Sequence, residues 1–281
     1  MIPSDTESQT DSSTDFRLDG HVVVVTGGYG VLGSAMARGL MDAGASVALL
    51  GRSPDKAEAA ADALDGGERA LGVAADVLDA DGLADAREAV LDRFGRLDAL
   101  VNAAGGNVSG ATLQPGESPF GLDPAAWRAV VDLNLHGTIL PTQVFGPALA
   151  DAEAGAVVNV SSMAASRVIS RVAGYSVAKA GVDHFTRWMA VELAKQTEGR
   201  VRVNAVAPGF FVAEQNRDLL LNGDGSLTER GSDIVAHTPV GRFGEPAEVA
   251  GPVVFLCSPA ARFVTGVVLP VDGGFSAYAG F

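Results

Sequence analysis

Tyr175-Ser176-Val177-Ala178-Lys179 sets a phenol and an ammonium four residues apart. The surrounding stretch, running to about Gln196, reads as a helix, and positions i and i+4 share one helix face, so both groups can face one cleft. A free tyrosine titrates near about 10, too high for a base at neutral pH. A neighbouring cation favours the phenolate; lowering the pKa by about three units takes roughly 4 kcal/mol. Ser162 stands thirteen residues earlier, where its hydroxyl could hold a substrate oxygen while Tyr175 exchanges the proton. Asn134, in DLNLHGT, sits inside a helical stretch that asparagine does not favour; its expected role is a water-linked chain to Lys179. Tyr175, Lys179, Ser162 and Asn134 together fit proton exchange on a carbonyl/alcohol pair.

Such a constellation needs a scaffold that brings distant segments to one edge. Short apolar runs alternate with Ala-rich helical stretches from residue 17 onward: 21–27, 46–50, 70–76, 97–103, 155–162, 200–208 and 266–274 read as strands. Several are apolar on nearly every residue, as in strands covered on both faces. Ser53-Pro54, Asp123-Pro124 and Glu245-Pro246 place proline just inside helix starts. Alternating strands and helices with right-handed crossovers predict an α/β fold: one Rossmann, doubly wound, seven-stranded parallel sheet in the order 3-2-1-4-5-6-7. Residues 17–281 form its single domain, with a lid over about 209–240, and residues 1–16 form an acidic tail. Ligands are expected at the carboxyl ends of the strands, near the switch point.

At that end the first strand runs into Thr26-Gly27-Gly28-Tyr29-Gly30-Val31-Leu32-Gly33, and a helix follows. Glycines let the backbone approach a pyrophosphate, and a helix N-terminus offers it free N–H groups. Strand, glycine-rich turn, helix and second strand together predict a dinucleotide site. The second strand ends Leu49-Leu50-Gly51-Arg52, with no carboxylate for a ribose hydroxyl. Arg52 could pair with a 2′-phosphate, which tilts the cofactor from NAD toward NADP; it could also stack on adenine or face solvent. Asp76, with Val77 beside it, could accept from the adenine amino group or cap a helix. Asn102-Ala103-Ala104-Gly105 would let the dinucleotide lie close, and a bound nicotinamide would add positive charge near Tyr175.

The composition narrows the partners. The formal net charge is −14, with only Lys56, Lys179 and Lys195 among the lysines. An acidic surface disfavours nucleic acid and anionic membrane, and it also reads as adaptation to high salt. The single cysteine, Cys257, sits in an apolar run as core, and no disulfide within the chain can form. No stretch reads as membrane-spanning and no secretory signal opens the chain, so a cytoplasmic protein is expected. His136 reads as structural, and His184 and His237 lack the spacing of a metal site; no metal is expected.

With TGGYGVLG, the NAAG of 102–105, Asn134, Ser162, YSVAK, the APG of 207–209 and the terminal VDGG in place, the sequence resembles the short-chain dehydrogenase/reductase family over about residues 17–281. The resemblance implies an NAD(P)-dependent enzyme acting on CH–OH donors. It also implies that Pro208, Gly209 and Phe211 line the nicotinamide side, and that Lys179 holds ribose hydroxyls. Val31 departs from the family pattern, which has glycine there. PTQVFG (141–146), SSMAASRVISRVAGYS (161–176), PGFFVAEQNRDLL (208–220), LTERG (227–231), AHTPVGRFGEP (236–246) and VDGGFSAYAGF (271–281) are similar to a narrower branch, the D-mannonate oxidoreductase (fructuronate reductase)-type members. That implies a keto sugar acid and its alcohol. Arg167 and Arg171 would take the carboxylate, with Asn107, Gln215, Asn216 and Arg217 near the hydroxyls; those arginines could equally form surface or subunit ion pairs. Two other readings stay open: a same-mechanism reductase of another polyol or a 3-oxoacyl substrate, and a cofactor-binding regulator without catalysis. The family further implies a homodimer or homotetramer through the helices of Asn134 and Tyr175, with FSAYAGF at another subunit contact.

Overall fold

The computed structural model describes residues 16–108, 110–213 and 216–280. Seven strands form one parallel sheet in the order β3-β2-β1-β4-β5-β6-β7, as the alternation of apolar runs required. They are β1 (Val22–Thr26), β2 (Ser46–Gly51), β3 (Ala70–Ala74), β4 (Ala99–Asn102), β5 (Gly155–Val160), β6 (Val201–Pro208) and β7 (Val268–Val271). Central β1 shows why the sheet lies inside. Val24 pairs with Ala48 on one side and Leu100 on the other. Val23 and Val25 face a core with Met36, Leu40, Val253 and Leu256, while Val22 and Val24 face a second core with Leu83, Val90, Phe145 and Leu149. Period-two alternation thus feeds two helix layers at once, and each such side chain contributes about 1.5–3 kcal/mol of burial.

The helices begin where the caps predict. Ser53 accepts from the Lys56 amide ahead of α2 (Pro54–Ala63), following α1 (Val31–Asp42). Asp79, not Asp76, caps α3 (Ala80–Phe94). Asp123 accepts from the Ala125 and Ala126 amides to open α4 (Pro124–Val131). A π-helical turn, Asp132–His136, joins α4 to α5 (Gly137–Ala150). The long helix α6 spans Ala173–Gln196. Between β6 and α9 (Ala250–Cys257) lie α7 (Arg217–Leu220) and α8 (Glu229–Ala236), inside the expected lid.

A buried polar chain ties the helix layer to the strands beneath the site. Asn102 donates to Thr142 Oγ1 and to Asn159 Oδ1, both at 2.9 Å, and Asn159 donates to Thr186 Oγ1 of α6 at 2.9 Å. These bonds tie α5 to β4 and α6 to β5, because a buried amide left unpaired costs about 1–3 kcal/mol.

The expected tail, 1–16, lies outside the described residues except for Phe16, whose ring stands 6.1 Å from that of Phe255. Cys257 is buried, and burial pushes its thiol up to about 12. Among the described residues no helix is long and apolar enough to cross a membrane, and no group of His, Cys, Asp and Glu could hold a metal ion.

Candidate active site

A cavity of about 920 Å³ opens at the carboxyl ends of the strands, across the switch between β1 and β4. One wall is the glycine-rich turn, and it has no slack. Gly27 has φ +65°, and a Cβ there would lie 2.8 Å from Ala104 Cα; one on Gly33 would lie 2.2 Å from the Gly27 carbonyl oxygen. Helix α1 starts at Val31, one residue after Gly30, so its free N–H groups face the cavity with a valine, half exposed, in the glycine's place. Tyr29, Gly30 and Leu32 line the same wall.

Tyr29 leaves no room for a side chain at Gly51. Its ring lies over Gly51, where a Cβ would come within 2.0 Å of it. Arg52 follows, exposed and lining the cavity. Asp76 and Val77 line it too; Asp76 accepts from the Leu78 amide at 3.0 Å with one oxygen. Ala103, Ala104, Gly105, Pro208, Gly209 and Phe211 complete the floor and the far end. Two expected cofactor contacts sit beneath the cavity instead. Thr26 is fully buried, accepting from the Ala103 and Ala104 amides at 3.1 and 3.2 Å, and Asn102 belongs to the buried polar chain. Both shape the floor without lining it.

The four acid/base residues converge. Ser162 lies two residues beyond β5, capping the turn Met163–Ala165 through the Ala164 amide. It faces Tyr175 on the first turns of α6. Lys179, one turn on, is 2 % exposed and donates to the Val160 carbonyl at 2.8 Å; its Nζ stands 5.7 Å from the Tyr175 ring centre. Asn134, wholly buried on the π turn, donates to the carbonyls of Val130 and Gly106 and accepts from the Gly106 amide. The turn frees the Val130 carbonyl for that side chain, as local widenings at functional sites do. Asn134 Oδ1 and Lys179 Nζ lie 2.7 and 3.2 Å from the point a Cβ on Gly105 would occupy, so only glycine lets them approach.

Burial and hydrogen bonding set the starting electrostatics of these residues. Burial holds the Tyr175 phenol above its ordinary value, and a hydrogen bond with Ser162 pulls it partly back. Burial lowers Lys179 to about 8, against an opposing pull from Asp183.

The expected substrate arginines have other partners. Arg167 donates to the Ser276 carbonyl, with Nε at 2.7 Å, and so anchors the C-terminal segment. Arg171, at φ +77°, donates to the Leu113 carbonyl and, at 3.3 Å, to Gln114 Oε1. Neither lines the cavity. Asn216 does, but its amide closes its own loop, accepting from Ala213 and donating to Phe211 at 2.7 and 2.9 Å. Asn107 and Arg217 are exposed away from the lining, and Gln215 lies outside the described residues. His136 pairs with Asp132 at 2.8 Å on the surface.

Residues 30–276 match the family described as enoyl-(acyl carrier protein) reductase. The uncharacterized oxidoreductase UxuB of Bacillus subtilis (strain 168) is 44% identical over 274 residues, covering 94% of this chain and 98% of that one. A Haemophilus influenza protein, provisionally assigned as a D-mannonate oxidoreductase and solved with bound NAD, superposes with a TM-score of 0.85 at 36% identity, covering 96% and 99% of the two chains. A gluconate 5-dehydrogenase from Burkholderia cenocepacia J2315, solved with NADP and tartrate, gives a TM-score of 0.83 at 30% identity, covering 95% and 100%. The chain belongs to the short-chain dehydrogenase/reductase family of NAD(P)-dependent oxidoreductases.

Proposed function

We propose that the protein interconverts a keto sugar acid and its alcohol, D-fructuronate and D-mannonate or a related aldonate, in the cytoplasm. The observation that carries the chemistry is the convergence of Tyr175, Lys179, Ser162 and Asn134 at one end of a dinucleotide-sized cavity. The residues fit such a cofactor: a turn with glycine at 27, 30 and 33 and a helix N-terminus suit its pyrophosphate, and Arg52 favours a 2′-phosphate. When bound, the nicotinamide supplies the hydride acceptor or donor. In the oxidative direction Tyr175 Oη takes the hydroxyl proton while Ser162 Oγ holds the same oxygen; in reduction Tyr175 returns it. The phenol starts high, so positive charge arriving beside it must complete what Ser162 begins.

The substrate class does not rest on Arg167 or Arg171, whose side chains hold the Ser276 and Leu113 carbonyls. The relatives that carry sugar-acid assignments support the same class. Val108, Leu133 and Phe210 favour the rival reading, a less polar polyol or a 3-oxoacyl group, since they make part of the lining apolar. Helix α6 presents Val177, Trp188 and Val191, each more than half exposed, as the face for a dimer or tetramer. The test is absorbance at 340 nm with both cofactors across hexonates, hexuronates, polyols and a 3-oxoacyl thioester. Turnover of a hexuronate or hexonate, abolished by Tyr175→Phe, is expected. Turnover confined to uncharged substrates overturns the acid reading.

A further inference from the structure

Beneath the acid/base residues lies a buried carboxylate that the chemistry above does not use. Asp183 is 9% exposed and stands on α6 one turn past Lys179, which is itself one turn past Tyr175. Residues four apart stack on a helix, so Tyr175, Lys179 and Asp183 share one face of α6, and the first two line the cavity. Ser161, next to Ser162, donates its hydroxyl to Asp183 Oδ1 and lies 3.5 Å from the Lys179 carbonyl. One loop, Ser161-Ser162, therefore holds both ends of the column.

We propose that Asp183 is a positioning residue of the reaction: anchored by Ser161, it keeps Lys179 charged and aimed at the cavity. The inference rests on the reading of Tyr175 and Lys179 given above. A buried ammonium needs a counter-charge, because desolvation disfavours its charged form. Lys179 makes one hydrogen bond, to a neutral carbonyl, and no ion pair within 4 Å among the described residues. Asp183 is the charged group that pulls it upward. The other groups facing the pair are few. Arg187, one turn further along α6, and Lys179 both favour the ionised Asp183 against its burial, as the Ser161 hydroxyl does. The loop after β5 offers only the Val160 carbonyl and the two serines. The π turn packed on α6 offers neutral Asn134, and its Asp132 is paired with His136. The segment after β4 offers the Gly105 backbone.

The chain's three lysines make the test direct. Protein carrying ¹³C at lysine Cε gives three signals, assigned with Lys56→Arg and Lys195→Arg, and the Lys179 signal is followed against pH without substrate or cofactor. The expected midpoint is near 8 in the parent chain. Asp183→Asn moves it down by about one pH unit, and Asp183→Glu restores most of that. Ser161→Ala, which keeps the charge but frees its anchor, shifts it the same way by less, and decides the matter if Asp183→Asn does not fold. An unmoved Lys179 midpoint in a folded Asp183→Asn, or in Ser161→Ala where that variant decides, overturns the proposal. Turnover surviving in Tyr175→Phe would instead overturn the catalytic reading, leaving the Lys179 titration as a separate fact.

Discussion

The two ends of the cavity are built on different principles. The cofactor end is made of closely packed backbone: Gly30 bonds back to Gly27, Ser34 to Gly30, Gly27 lies against Ala104, and Gly33 fits only because it lacks a Cβ. The substrate end is made of loops that reach across the chain: Arg167 to Ser276, 109 residues away, and Arg171 to Leu113, 58 away. The first arrangement tolerates no added atom. The second tolerates change, because its side-chain anchors end on single carbonyls and exposed groups. The two ends should therefore fail differently when altered.

The largest effect is expected at the rigid end. Gly33→Ala puts a methyl 2.2 Å from the Gly27 oxygen, and backbone cannot yield as a side chain would. The expected outcome is a loss of about 2–3 kcal/mol of stability together with at least tenfold weaker NAD(P)H binding, read by denaturant melts and by cofactor fluorescence. An unchanged melt would mean the turn has slack, and the contrast between the ends would dissolve.

Arg171→Gly tests the other end. Glycine accepts the φ of +77° without strain, so the change removes only the side-chain grip on residues 113 and 114 and leaves the Leu113 amide bonded to the carbonyl of residue 171. The fold should lose no more than about 1 kcal/mol and cofactor affinity should stay the same, while KM for the substrate rises about tenfold, as steady-state kinetics will show. Equal damage to cofactor and substrate binding would mean that the ends are coupled.

That difference also governs how much was legible in the residues alone. The sheet order and the cofactor wall followed from local pattern, because apolar runs and glycine spacing encode structure within some thirty residues. Asn134 was recognisable as misplaced in a helix, and the π turn is the reason. The roles of Arg167 and Arg171 were not legible. An arginine's sequence position places it near the cleft, but which distant carbonyl it meets is fixed only by tertiary packing. Asp183 and Gly51 escaped for the same cause: a carboxylate in a helix reads as surface, and the Tyr29 ring over Gly51 joins residues that look unrelated.

Arg52→Ala has a smaller, selective effect. Its side chain is exposed, so the expected loss is about 1–1.5 kcal/mol, close to a tenfold rise in KM for NADPH with KM for NADH unchanged. Comparing the two cofactors checks this directly. Equal KM changes for both would give Arg52 the adenine-stacking role instead.

Salt separates the ends most gently, through depth rather than geometry. At molar KCl the Debye length falls to about 3 Å, so an exposed arginine loses much of its hold on a phosphate, while the buried column of Tyr175, Lys179 and Asp183 is shielded from the ions. KM for NADPH should therefore rise a few-fold between dilute buffer and 1 M KCl with kcat steady. The net charge of −14 works the other way on the whole fold: screening relieves its self-repulsion, so the melting temperature should climb over the same range. A kcat that falls with salt would place the acid/base residues within reach of solvent ions, and the rigid and adaptable ends would then differ in construction but not in exposure.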